Sequence, residues 1–192
     1  MVTPSKKYDD LLAAAKELFW KHGINRVSIE DICRKADVSK MTYYKFFPNK
    51  IELAKTIFNL IVEQGEKQFR EIMHDDSAPA EKIRKMMLMK LESTRDISPE
   101  FMQDFYTGRE PELKAFVDKR TREAWEILKN DIYEAQRAGI FRKDLKPELL
   151  IRIQYKLVDL FEDESFTELF DSRQEMIMEL ANLLVYGIVP HE

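Results

Sequence analysis

Apolar residues return every three or four positions along most of the chain, the spacing of one face of an α-helix. Tyr8, Leu11, Leu12, Ala15, Leu18 and Phe19 mark a first such face, and His22 and Gly23 end it, since glycine takes the left-handed conformation of a helix end without steric penalty. Ser28 with Asp31 three residues on reads as a capping box, which predicts a second helix to about residue 36. Asp37 and Val38 stand where the chain must turn, and Ser39 caps a short third helix over residues 40–46. Pro48 cannot continue that helix, and Asn49 caps a long fourth one carrying Ile51, Leu53, Ala54, Ile57 and Phe58, to about residue 73.

The pattern continues over residues 80–94, 99–106, 111–139 and 147–164, with prolines at or near the starts of the last three. The final segment, 172–189, is apolar on more than one stripe, and so is 147–164. One stripe serves the chain's own core; the second predicts another helix surface, most economically that of an identical chain. Ile153, Leu157, Leu160, Phe161, Ile177, Leu180, Leu184 and Ile188 are the candidate homodimer interface. The whole reads as all-α.

Composition agrees: with 44% hydrophobic residues and five glycines in 192, a helical core can form without disulfides or metal. A single cysteine, Cys33, points to a reducing compartment, the cytoplasm. The early Asp9 and Asp10 spoil a signal peptide, and no apolar run is long enough to span a membrane. Net charge is −4, but the halves differ. Residues 1–60 hold 11 Lys and Arg against 7 Asp and Glu, whereas residues 61–192 hold 20 against 28. A basic head on an acidic body suits phosphate contact at the N-terminal end.

Residues 28–46 thus combine a capped helix, a three-residue turn and a second short helix, the layout of a helix-turn-helix. The second helix offers Ser39, Lys40, Thr42, Tyr43, Tyr44 and Lys45, with Lys50 at the next helix start, and these are the groups that phosphates and base edges accept. Leu18, Phe19 and Gly23, then Ser28, Ile29, Asp31 and Ile32, then Ala36, Val38, Ser39, Lys40, Thr42, Tyr44, Phe47, Lys50 and Leu53, follow the order of one known pattern. Over residues 8–58 the chain resembles the TetR family of repressors. Asp37 replaces a turn glycine there, and Met41 replaces a small residue at the groove face, where it can meet a thymine methyl.

The resemblance implies an N-terminal three-helix DNA-binding domain, residues 1–50, joined to a larger helical effector-binding and dimerisation domain, residues 51–192. It implies that Lys40, Thr42 and Tyr43 face bases, and that Ser28, Ser39, Tyr44, Lys45 and Lys50 hold phosphates of a double-stranded, palindromic operator. Phe46 and Phe47 are core under the recognition helix. It further implies a repressor released by a small-molecule effector. Met86, Met89, Phe101, Phe105, Tyr106, Trp125, Tyr133 and Tyr155 would line an apolar or aromatic pocket, and helix four would carry the signal to the head.

No cofactor or metal is expected, and an enzyme is disfavoured. His22, His74 and His191 are isolated, no Gly-x-Ser-x-Gly or Walker sequence occurs, and one cysteine cannot build a zinc site. Asp159 with Glu162, Asp163 and Glu164 reads as an exposed acidic helix end. Two alternatives keep the DNA-binding head: an adaptor that senses nothing, and a redox regulator acting through Cys33.

Overall fold

A computed structural model describes residues 5–108, 110–161 and 163–189, apart from the side chains of residues 154, 155 and 158. Among these residues every regular element is helical: α1 (Lys6–His22), α2 (Ile29–Lys35), α3 (Lys40–Phe46), α4 (Lys50–His74), α5 (Pro79–Ser93), α6 (Pro99–Met102), a π-turn (Gln103–Thr107), α7 (Pro111–Arg137), α8 (Pro147–Asp159), α9 (Glu164–Thr167) and α10 (Arg173–Ile188).

The chain divides into two compact units. The first combines Met1–Ile61 with Asp96–Asp118, and the second combines Val62–Arg95 with Lys119–Glu192. The segment 1–50, expected to bind DNA, lies wholly within the first unit, which extends beyond it.

Local chemistry sets the helix ends of the first unit. Ser5 caps α1, and Gly23, at φ +74°, ends it by donating its N–H to the Phe19 carbonyl. Both halves of the capping box at α2 form: the Asp31 N–H donates to Ser28 Oγ, and the Ser28 N–H donates to the Asp31 carboxylate. Asp37 holds φ +52° in the turn between α2 and α3, the positive value that its place demands. Asn49 Oδ1 accepts the Glu52 N–H at 2.9 Å at the head of α4. Leu11, Phe19, Ile32, Leu53, Ile57 and Phe58 form the core beneath these helices. Tyr8 stacks on Phe47 at 5.4 Å and meets the edge of Phe46 at 5.5 Å, which places both phenylalanines against the protein.

In the second unit, Met73, Ile132, Ala135, Ile140, Phe141, Leu145 and Ile188 form one apolar cluster, with Met86 packed on its edge. The buried Lys82 closes the end of α4, donating to the carbonyls of Ile72, Met73 and Asp75. These are orphan acceptors of a helix C-terminus, where a cation is also favoured by the helix dipole.

Two expected helices are shorter than their apolar spacing predicts. The segment 99–106 makes only one α-helical turn before widening into the π-turn. Helix α8 stops at Asp159 rather than residue 164, and Asp163 caps a separate short helix by accepting the Phe166 N–H. Carboxylates crowding residues 159–164 oppose the negative end of a helix dipole but suit the start of the next.

Candidate nucleic-acid interface

The turn after α2 presents α3 with one side inward and one outward. Inward stands Tyr43, wholly buried, with its hydroxyl donating to the Asn49 carbonyl at 3.1 Å. Burial pushes its phenol well above the ordinary range. This corrects the expectation that Tyr43 faces bases: its ring is part of the core and its only polar atom closes the α3–α4 loop.

Outward stand Lys40, Met41, Tyr44 and Lys45, all exposed; Met41 is 73% exposed, a large apolar side chain left in water. Lys40 pairs with Glu30 on α2, a contact that raises its ammonium pKa and lowers that of the carboxyl. Both partners lie in solvent, so the pair costs little to exchange for a phosphate. Ser39 Oγ accepts the Thr42 N–H at 3.1 Å and lies 3.0 Å from Thr42 Oγ1, while Ser28 Oγ lies 2.6 Å from the Asp31 carboxylate. These hydroxyls are engaged in caps, though Ser28 and Ser39 remain at the surface.

Lys50 is also placed differently from the phosphate contact expected of it. Its ammonium turns inward and donates to the carbonyls of Ile24 at 2.7 Å and Val27 at 2.8 Å. Burial lowers its pKa, against the opposing pull of Asp104 and Glu110. The turn it grips is held on its amide side by Asp104, a residue that no local sequence signal marks.

Cys33 is buried on α2 and burial raises its thiol pKa, which leaves little thiolate for redox chemistry. Among the described residues no group of three or more His, Cys, Asp or Glu is arranged to hold a metal. No helix among them is long and apolar enough to cross a membrane.

The residues expected to line an effector pocket divide between the units. Phe101 and Phe105 are core of the first unit: their rings lie 4.4 Å apart, Phe101 lies 4.6 Å from Trp20, and Phe105 stacks on Phe58 at 5.7 Å. Both side chains are thus enclosed by neighbouring rings. Tyr106, half-buried beside Phe58, has its phenol pushed up to about 12 by burial. Met86, Met89 and Trp125 are half-buried in the second unit, where Tyr133 donates its hydroxyl to Glu148 at 3.0 Å. The Tyr155 side chain lies outside the described residues.

Of the interface candidates, Ile153, Leu157, Leu160, Phe161, Leu180 and Leu184 are half-buried. Ile177 and Ile188 are buried within the chain itself, Ile188 in the apolar cluster, so they are not available to a partner. The periodicity missed the side chains of α10 that do stand in water: Leu183 at 70% and Tyr186 at 73% exposure.

A capped helix pair that turns a cationic, hydroxyl-bearing short helix outward defines a helix-turn-helix DNA-binding protein. Residues 11–57 match the model of bacterial regulatory proteins of the tetR family. The chain is 20% identical over 182 residues to the HTH-type transcriptional regulator YdgC of Bacillus subtilis, covering 94% of this chain and 91% of that one. It is 23% identical over 153 residues to the HTH-type transcriptional repressor KstR2 of Mycolicibacterium smegmatis, covering 78% and 74%. Its fold matches a regulatory protein TetR from Rhodobacter sphaeroides with a TM-score of 0.73 at 18% identity, over 96% of this chain and all of that one. Residues 11–57 thus carry a helix-turn-helix domain of the tetR type, and the relatives that the chain matches over most of its length are HTH-type transcriptional regulators.

Proposed function

We propose that this regulator is a ligand-responsive repressor that works in the cytoplasm, binds a palindromic operator as a homodimer and leaves it when a small apolar or aromatic effector binds. The observation that carries the DNA reading is the outward face of α3. Met41 and Tyr44 are exposed one turn apart, between the ammonium groups of Lys40 and Lys45. An apolar side chain in water gains nothing within this chain; against a base edge it gains the methyl of thymine. Lys40, Met41 and Thr42 are proposed to meet bases, and Ser28, Ser39, Tyr44 and Lys45 to anchor phosphates. On this reading residues 1–50 bind DNA and residues 51–192 dimerise and hold the effector.

The dimer reading is supported by the exposed Leu183 and Tyr186 on α10, with half-buried Leu180 and Leu184 beside them. Met86, Met89 and Trp125 are the soft, half-buried side chains best suited to an apolar effector.

Selection of bound duplexes from a random pool tests the reading. A two-fold symmetric site bound with steep salt dependence is the expected outcome. Binding that ignores both sequence and salt would sink it. The effector is then sought as a molecule that both raises the melting temperature and abolishes the operator band shift. If nothing in a broad apolar and aromatic library does both, the adaptor reading replaces the sensor.

A further inference from the structure

The turn between α1 and α2 is held from two sides by side chains distant in sequence. Asp104 Oδ2 accepts the Ile24 N–H at 2.7 Å and the Asn25 N–H at 3.0 Å, while Oδ1 accepts from Asn25 Nδ2 at 2.5 Å. On the other side, Lys50 takes the Ile24 and Val27 carbonyls. The polar groups of residues 24–27 are thus gripped by a carboxylate and an ammonium, and bonds to charged groups are about twice as strong as neutral ones. Ser28 follows at once and caps α2, so the clamped turn sets where the helix-turn-helix begins.

Asp104 comes from the stretch that rejoins the first unit after residues 62–95 have been spent in the second. That stretch is fastened along its length. The Ser98 N–H donates to the Trp20 carbonyl at 3.1 Å, Phe101 packs on Trp20, and Glu100 pairs with Arg26 at 2.6 Å. Its approach requires Gly23, where a Cβ would lie 2.6 Å from the Asp104 carboxylate and 2.8 Å from Glu100 Cβ. Asp104 also sits in the π-turn, whose extra residue sets its direction; one residue of helical register is a rotation of about 100°.

We infer that Asp104 is a positioning residue for operator recognition: by clamping the α1–α2 turn it fixes where α2 and the recognition helix stand within the first unit. It is aimed at protein amides and needs no contact with DNA. The inference rests on the DNA-binding dimer proposed above. In a symmetric dimer the two recognition helices must match half-sites at a fixed separation, so a recognition helix held at one place in its own unit discriminates spacing and a loosened one does not.

The test uses the full-length protein, its selected operator, and operators lengthened or shortened by one base pair at the centre. Wild-type protein is expected to prefer the natural spacing by roughly tenfold, the scale of one mismatched base pair. In Asp104→Ala the preference should fall within about threefold, because a loosened recognition helix accepts all three spacings. Simple loss of folded protein would lower all three affinities together and leave their ratio unchanged. Asp104→Asn keeps the shape and one accepting oxygen; it should fall between the two and carries the test if the alanine variant does not fold. Folded variants that retain the wild-type ratio overturn the inference. A wild-type protein that selects no duplex overturns the DNA reading instead, so the two failures are distinguishable.

Discussion

The Tyr43 hydroxyl donates to the Asn49 carbonyl across the α3–α4 loop, and the ring that carries it is fully buried. Tyr43 and Tyr44, adjacent in sequence and 5.4 Å apart ring to ring, therefore do opposite jobs. Tyr43→Phe should lower unfolding free energy by about 1 kcal/mol in urea titrations, the net worth of one hydrogen bond, and leave the selected operator unchanged. Tyr44→Ala should show the reverse, with unaltered stability and weaker DNA binding. A changed operator preference in Tyr43→Phe would contradict this division.

Met41 invites a test on the DNA rather than the protein. Replacing thymine by uracil, one position at a time, in the selected operator removes only a methyl. At the contacted position the loss should be about 0.8 kcal/mol, roughly fourfold in affinity, for one buried methyl-sized group. In Met41→Ala the same replacement should have no effect. Equal sensitivity of both proteins would assign the methyl to another side chain.

Much of this could be read from the sequence, and what could not has a physical explanation. The caps at Ser28, Ser39, Asn49 and Gly23 were legible because each acts within four residues. The side on which Tyr43 stands is not legible, because a seven-residue helix carries four consecutive aromatic or cationic positions and only packing against its neighbours decides its rotation. The clamp on the α1–α2 turn was illegible because Asp104 and Ile24 are 80 residues apart. Lys50 looked like a phosphate ligand because a lysine's sequence context does not reveal whether its nearest acceptors are carbonyls. On α10 the apolar stripes were seen, but their division into inward Ile177 and Ile188 and outward Leu183 and Tyr186 is a tertiary fact.

The outward pair on α10 gives the dimer a direct test. Leu183→Glu with Tyr186→Glu should leave the fold intact, since neither side chain is packed in the chain, and should convert a dimer to monomer in sedimentation equilibrium. Operator affinity should fall at least tenfold with it, because half the contacts are lost. A wild-type monomer, or a variant that remains dimeric, would move the interface elsewhere.

Asp75 predicts the acid behaviour of the α4–α5 junction. Its carboxyl is held far below the ordinary range, first by its bond to Lys85 and then by the Ser77 N–H, with the Ser77 hydroxyl and Lys82 contributing less. A folded pKa below the unfolded value gives stability that is complete above the unfolded value of about 3.9 and is lost as pH falls towards the depressed one. Unfolding midpoints measured from pH 6 down to pH 2 should therefore drop below about pH 4, and Asp75→Asn should flatten that limb. An identical acid limb in the variant would mean that other carboxylates carry it.

Gly23 has a meaning beyond this one chain. With the Asp104 carboxylate 2.6 Å and the Glu100 Cβ 2.8 Å from the place a Cβ would take, and with φ at +74°, position 23 is closed to a side chain both by its neighbours and by its own backbone. A descendant that gains a side chain at 23 must move the backbone at 100 and give up the left-handed turn as well as the acid at 104. Related sequences with an acid at 104 should therefore keep the glycine at 23, and those that keep both are the ones that keep this clamp.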